Sequence, residues 1–252
     1  MSTSTQAARD ELAPTGTLRV GLNLANFLLT RQEADGTING LAPDLAKEIA
    51  KRLGVPVALF GYPRPGKVAD DAPNNKWDIA FLGAEPQRAQ QIDFTAAYFE
   101  IEATYMVPPG SPIKSIAEVD VPGRKISIAG GSAYDLYLTR ELKHAELIRA
   151  ASVDASFDTF VADKMEVLAG LRPRLVKDLE NLPSARLLEG RFTSIQQAIG
   201  VAKTPARKGA GFAFLREFCE DAKKSGLVAE LMAANGVVGG TVASLVQAGA
   251  KD

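Results

Sequence analysis

Trp77-Asp78-Ile79-Ala80-Phe81-Leu82-Gly83-Ala84-Glu85-Pro86-Gln87-Arg88-Ala89-Gln90-Gln91-Ile92-Asp93-Phe94-Thr95 reads as a buried strand, a turn and a short helix carrying one arginine in its first turns. The apolar run at residues 79–82 has the pattern of a strand covered on both faces in a parallel sheet. Open α/β sheets take their ligands at the C-terminal ends of such strands. A guanidinium there can grip a carboxylate through two parallel hydrogen bonds, which makes Arg88 a candidate anion anchor. An isolated arginine is more often a solvated surface charge, so the choice rests on the rest of the chain.

Upstream, residues 17–23 form a first strand. A loop closed by Asp35-Gly36 leads to a helix over residues 43–53, where Leu45, Ile49 and Leu53 recur at i, i+4, i+8 on one face. Gly54 stops it and Pro56 follows. Residues 55–60 form a second strand, and residues 61–76 a loop with one helical turn. Downstream, a strand at 103–107 ends in Pro108-Pro109-Gly110-Ser111-Pro112. A second strand–helix pattern then begins, with a helix at 116–119, a strand at 125–129 and a helix at 133–142. Further helices are expected at 156–162 and 175–182, an apolar run at 167–170, a strand at 186–188 and a return strand at 194–202. A helical region over 209–234 breaks near Gly226. Residues 1–16 are polar and expected to fray; residues 236–252 are rich in Gly and Ala and expected to be loose. Alternating strands and helices imply an α/β fold with mostly parallel sheets, and the Pro/Gly punctuation divides it into two lobes.

Composition narrows the chemistry. The 252 residues are 46% hydrophobic and 23% charged, enough for one large or two small cores. Net charge is -1 with a pI near 6.0, and no basic patch of the kind nucleic acid requires is present. Cys219 is the sole cysteine, so no intramolecular disulfide forms, and its apolar helical setting marks a buried thiol. His144 is the sole histidine, which excludes a His-based triad, a multi-His metal site and a Cys/His zinc site. No metal or other cofactor is expected. No window approaches the ~18 apolar residues of a membrane span, so no membrane insertion is expected. The N-terminal residues lack an apolar h-region. As written, the chain is expected in the cytoplasm; with a leader removed, in the periplasm.

A second anion-binding feature lies at Ala129-Gly130-Gly131-Ser132-Ala133-Tyr134-Asp135, a glycine-rich turn opening a helix. The first amides of a helix have no internal partners and its dipole is positive there. Ser132 suits the N-cap and Asp135 completes something like a capping box. The same residues also make sense as a helix cap and nothing more. The segment is neither a Walker loop nor a GxGxxG. Elsewhere, Trp77 reads as packing, Asp78 and Asp93 as turn or cap residues, and Asp44 as a helix-dipole partner.

In this order, the first strand, Gly40-Leu41-Ala42-Pro43-Asp44-Leu45-Ala46-Lys47-Glu48-Ile49-Ala50, Trp77-Asp78-Ile79-Ala80, Pro86-Gln87-Arg88-Ala89, Ile92-Asp93-Phe94-Thr95, Tyr98 and Gly130-Gly131-Ser132 resemble the family 3 extracellular solute-binding proteins, the polar amino acid binders of ABC importers. The resemblance covers roughly residues 16–236. It implies a two-lobed periplasmic binding protein-like fold of type II, joined by two hinge strands, with the ligand in the cleft. Lobe 1 would comprise residues 16–105 and 200–252, and lobe 2 residues 106–199. Arg88 would clamp the ligand carboxylate, with Gly83 and Ala84 in the turn before it. Gly131, Ser132 and Ala133 would complete the site from lobe 2, while Asn23, Asn26 and Phe27 would supply contacts from the loop after the first strand.

Two departures qualify that picture. The family usually carries an Asp that pairs the ligand's ammonium, and Leu171 stands there, followed by Arg172. Gly83 and Glu85 stand where hydroxyl residues are common. An apolar side chain cannot compensate a buried ammonium. The resemblance therefore points to a small-molecule carboxylate or amino-acid-like ligand, with an ABC importer permease as partner and no catalytic residue. The alternatives are a cyclohexadienyl dehydratase-like enzyme on the same fold, with Glu85, Glu100 or Glu102 as general acid, a cytoplasmic ligand sensor, and a partner-binding remnant.

Overall fold

The computed structural model describes residues 3–204, 207 and 209–246. The chain divides into two compact units, residues 1–100 with 196–252 and residues 101–195.

The first unit opens with α1 (Thr3–Leu12), then β1 (Leu18–Asn23), the β2–β3 hairpin (Arg31–Gln32, Ile38–Asn39), α2 (Leu41–Leu53), β4 (Val57–Tyr62), α3 (Pro65–Asp70) and β5 (Ile79–Gly83). β1 lies between β4 and β5 and is parallel to both. Because β5 also pairs on its other side, all five of its residues are buried, which is why it reads as a continuous apolar run. Leu45, Ile49 and Leu53 of α2 are buried, and Gly54 at φ 67° closes the helix with its amide on Ala50 and Lys51 carbonyls. Trp77 is buried and its Nε1–H donates to the Val68 carbonyl at 2.9 Å, tying β5 to α3.

The chain enters the second unit along β6 (Ile92–Val107) and continues through β7 (Lys125–Ala129), α4 (Ala133–Glu141), β8 (Glu146–Ala150), α5 (Val153–Ala162), β9 (Val167–Leu171), α6 (Arg172–Asp178) and β10 (Arg186–Leu187). Here β7 is parallel to both β8 and β9, while β9 and β10 run antiparallel to β6. A core of Tyr105, Ile126, Ile128, Tyr134, Leu138 and Val167, among others, fills this unit. Strand β11 (Thr193–Ala202) leads back to the first unit and pairs antiparallel with β5. Helices α7 (Ala210–Lys224) and α8 (Leu227–Ala234) and the short β12 (Thr241–Val242) complete that unit.

Several expectations change. Residues 3–12 are not frayed: α1 buries Ala8 and Leu12, and Glu11 Oε2 accepts the Gly211 amide at 2.9 Å, capping α7 across the unit. The tail is not loose up to residue 246: β12 pairs with Phe99 and Glu100 of β6, Ala243 is buried, and Lys223 Nζ donates to the Ser244 carbonyl. The part from residue 247 onward lies outside the described residues. β6 is far longer than the expected strand at 103–107, and β8 was not expected at all. α6 starts three residues before residue 175 because Pro173 sits in its first turn, where its missing N–H costs nothing. Asp78 is no turn residue. It is fully buried, takes a forked pair of hydrogen bonds from Arg19 Nε and Nη2 at 3.0 and 2.8 Å, and accepts the Arg19 amide as well. Asp93 pairs with Lys203 at 3.4 Å.

Candidate functional site

In the first unit, β1 and β5 run parallel in the register Val20–Ile79, Gly21–Ala80, Leu22–Phe81, so both end on one edge. Asn23 ends β1 and Gly83 ends β5. Arg88 opens a 3-10 turn, Arg88–Gln90, just beyond, and its Nη1–H donates to the Gly83 carbonyl at 2.7 Å. The Arg88 side chain is not in bulk water: the residue is 5% exposed. That burial lowers its pKa to about 10, and the nearby Glu85, itself buried, opposes the shift. The Ala84 amide is taken by the Gln196 carbonyl at 2.8 Å. The loop leaving β1 carries Asn26 and Phe27. Asn26 is buried, yet its Oδ1 has no hydrogen-bond partner among the described residues. A buried amide oxygen left in that state is costly unless a ligand or water serves it. The structure thus brings Asn23, Gly83, Ala84, Arg88 and the start of the Asn26–Phe27 loop to one edge.

In the second unit, β7 and β9 are parallel with Ser127 beside Leu168; three residues further on, Gly130 leaves one strand and Leu171 ends the other. Gly131, Ser132, Ala133, Leu171 and Arg172 therefore share an edge. The Gly131 amide, which lies before the N-cap, donates to Asp135 Oδ2 at 2.8 Å. Ser132 Oγ accepts the Asp135 amide at 3.0 Å as the N-cap of α4, while the Ser132 amide goes to the Ala129 carbonyl, so the carboxylate reaches one residue beyond the usual capping-box partner. Asp135 also accepts from Arg149 Nε at 2.9 Å and from Thr139, and is itself buried. The turn is consequently held rigid by its own carboxylate. Ala133, the first residue of α4, is the next amide along.

Leu171 packs against the core of this unit. Arg172 Nε donates to Glu102 Oε2 at 2.7 Å and its Nη2 to the Gly190 carbonyl, while Arg191 Nη1 donates to Glu102 Oε1 at 3.0 Å. Hydrogen bonding from Arg172, joined by Arg191, holds the Glu102 carboxyl below its ordinary value. A carboxyl held ionised in this way is a poor general acid at neutral pH. Sequence reasoning had not paired Glu102 with these arginines. The pairing follows from the register that sets Ala103 opposite Leu171, which local sequence does not carry.

A cavity of 830 Å³ elsewhere in the first unit is lined by Phe94, Lys203, Phe212 and Arg216 among others; none of the residues singled out for ligand binding lines it. Among the described residues no group of three or more His, Cys, Asp and Glu is placed to hold a metal ion, and no helix is long and apolar enough to cross a membrane.

Residues 18–235 match the model of the bacterial extracellular solute-binding proteins, family 3. The chain belongs to that family. Solved structures similar to this solute-binding protein include a mutant of ArgBP from T. maritima, at 21% identity over 91% of this chain and 99% of that one, with a TM-score of 0.74. Another is an ancestral amino acid-binding protein, AncCDT-1, a precursor of cyclohexadienyl dehydratase (21% identity, 90% and 98% covered, TM-score 0.72). A third is the substrate binding protein of an amino acid ABC transporter (17% identity, 87% and 99% covered, TM-score 0.72). At such identities the likeness is one of fold, the α/β type II periplasmic binding protein architecture.

Proposed function

We propose that this solute-binding protein captures a small carboxylate or amino-acid-like ligand and delivers it to the permease of an ABC importer. The observation that carries the reading is the Arg88 guanidinium, buried at the C-terminal edge of parallel strands with its Nη1 fixed on the Gly83 carbonyl. A fixed guanidinium out of bulk water binds a carboxylate more strongly than one in solvent. Asn23, Asn26, Phe27, Gly83 and Ala84 are the contacts assigned to the same unit; Gly131, Ser132, Ala133, Leu171 and Arg172 are the share assigned to the second. The solved relatives described as amino acid-binding, and the one described as part of an amino acid ABC transporter, support the ligand class and the partner. Family membership supports action outside the cytoplasm. Leu171, where the family resemblance places an ammonium-pairing Asp, favours a ligand that lacks the α-amino group or holds it unconventionally.

Calorimetric titration with a panel of L-amino acids and their deaminated counterparts tests this reading. At least one acid should bind the wild type, and Arg88→Gln should weaken it by about a hundredfold, the worth of a charge-assisted pair. Unchanged binding in Arg88→Gln would remove Arg88 from the site. A dehydratase activity is the second reading, favoured by the AncCDT-1 likeness. Incubation with prephenate or arogenate should then give product, with turnover abolished by Glu85→Gln or Glu100→Gln.

A further inference from the structure

Two asparagines stand at the end of β1, and their side chains are used differently. Asn23 Oδ1 accepts the Ala25 amide at 3.1 Å, so this residue turns the chain. Asn26 is 6% exposed, and its Oδ1 has no hydrogen-bond partner among the described residues. The backbone of Asn26 is nevertheless occupied: its carbonyl accepts the Leu29 and Thr30 amides at 3.0 Å each, and its amide goes to the Asn23 carbonyl at 3.4 Å. The Leu29 carbonyl in turn accepts the Ala42 amide from the first turn of α2, and Leu28, Leu29 and Thr30 are buried. The side chain is thus carried on a pinned loop while its oxygen stays idle. Folding alone gives no reason to bury an acceptor in that state, because its desolvation is offset by nothing.

The place of Asn26 narrows what could serve it. The register that sets Leu22 beside Phe81 brings the loop after β1 and the Arg88 turn after β5 to one edge of one unit. Paired strands lie about 4.8 Å apart, so an acid of a few carbon atoms spans from one loop to the other. Asn26 is neutral, and the charges of Arg88 and Glu85 already oppose one another at this edge. The amide therefore adds nothing to offset an ammonium. A hydroxyl or a carboxamide suits it: each both donates and accepts, and so satisfies the amide whichever of its two heteroatoms faces the ligand.

We infer that Asn26 determines specificity within the first unit by requiring a neutral hydrogen-bonding group on the ligand. Hydroxy acids, or acids bearing a carboxamide, are then taken in preference to alkyl acids of the same shape and to their ammonium counterparts. The inference rests on the proposed Arg88 carboxylate site and narrows its ligand class.

Acids of one shape that differ at a single group test it by calorimetry on the full chain: lactate against isobutyrate and L-alanine, β-hydroxybutyrate against isovalerate and β-aminobutyrate, succinamate against isocaproate. The best hydroxyl or carboxamide acid should bind at least about tenfold tighter than its alkyl counterpart, equivalent to 1.4 kcal/mol. Asn26→Leu keeps the size of the side chain, leaves the backbone hydrogen bonds in place and removes the acceptor. It should shrink that gap to less than about threefold. Asn26→Asp should instead turn the preference toward the ammonium counterpart. Melting curves establish that each variant is folded; should Asn26→Leu fail to fold, Asn26→Asp decides alone. An alkyl acid that binds the wild type as tightly as its polar counterpart would mean that water serves Oδ1, and would overturn the inference. So would an ammonium counterpart that binds the wild type tightest, a gap undiminished in Asn26→Leu, or an unaltered preference in Asn26→Asp. If alkyl and polar acids bind equally and Arg88→Gln weakens both, only the role of Asn26 falls. If no acid binds the wild type, the Arg88 anchor falls with it.

Discussion

At the strand ends of the first unit one guanidinium, Arg88, is almost wholly buried and fixed on a backbone carbonyl beside Glu85. At the strand ends of the second, Arg172 and Arg191 stand half in solvent and share one carboxylate. The topological setting is the same, two parallel strands ending side by side, and the treatment of charge is opposite. Burial makes the first arginine strong but costly to keep, since a desolvated charge must be compensated at all times. Exposure makes the second pair cheap to keep and weakened by salt. One edge thus carries a desolvated charge, the other a screened and shared one.

Changes to buried charge should break this contrast most visibly. Arg88→Met leaves Glu85 buried without its opposing charge and should cost about 4 kcal/mol by urea unfolding; adding Glu85→Gln should recover part of the loss. An Arg88→Met protein as stable as wild type would show that the first edge does not carry a buried charge. Asp78→Asn, away from the edge, weakens the forked bond from Arg19 in a fully buried setting, with an expected loss of about 3 kcal/mol. In the second unit the costs fall. Asp135→Asn loosens the bond that holds the Gly131 amide and should cost about 1.5 kcal/mol. Gly131→Ala meets no neighbouring atom and pays only for its backbone at φ 74°, about 1 kcal/mol.

The smallest effect is one of pH. Glu102 is held below its ordinary value of 4.5 chiefly by the Arg172 hydrogen bond. A depressed carboxyl contributes stability that is present above the unfolded value and lost as pH falls through the folded one. Between pH 5 and 8 the trio of Glu102, Arg172 and Arg191 should therefore keep its charge, and its contribution to unfolding stability should stay flat across about that range. An inflection inside that window, followed by calorimetry in matched buffers, would show that Glu102 is not held by the arginines.

What could be read from sequence divides along the same line. β5 and α2 were legible because each is buried with an unbroken period, continuous in one case and 3.6-residue in the other. Arg88 was legible as a strand-end arginine, although its bond to Gly83 and its neighbour Glu85 were not. The Glu102 trio was illegible because it depends on which residues face each other across β6 and β9, 70 residues apart. The packing of α1 was missed although Ala8 and Leu12 stand at i, i+4, since the helix is otherwise polar and its partner α7 lies far along the chain. The tail was missed because its contact with β6 needs only two paired residues and one buried alanine. At Gly131 local sequence did not reveal that Asp135, three residues past the N-cap, also takes the amide of the residue before that cap.

The hydrogen bond from the Gly211 amide to Glu11 has a bearing on how much of the chain each unit needs before it can close. It joins residues 200 positions apart, and Leu12 packs so close to Gly211 that an added methyl would meet it at 2.8 Å. Residues 101–195 form one uninterrupted stretch and can complete their own core as soon as they emerge. The N-terminal helix, made first, must wait for α7 before its apolar side has anything to rest on. The second unit is therefore contiguous in sequence, whereas the first closes only when the two ends of the chain, α1 and α7, are both present.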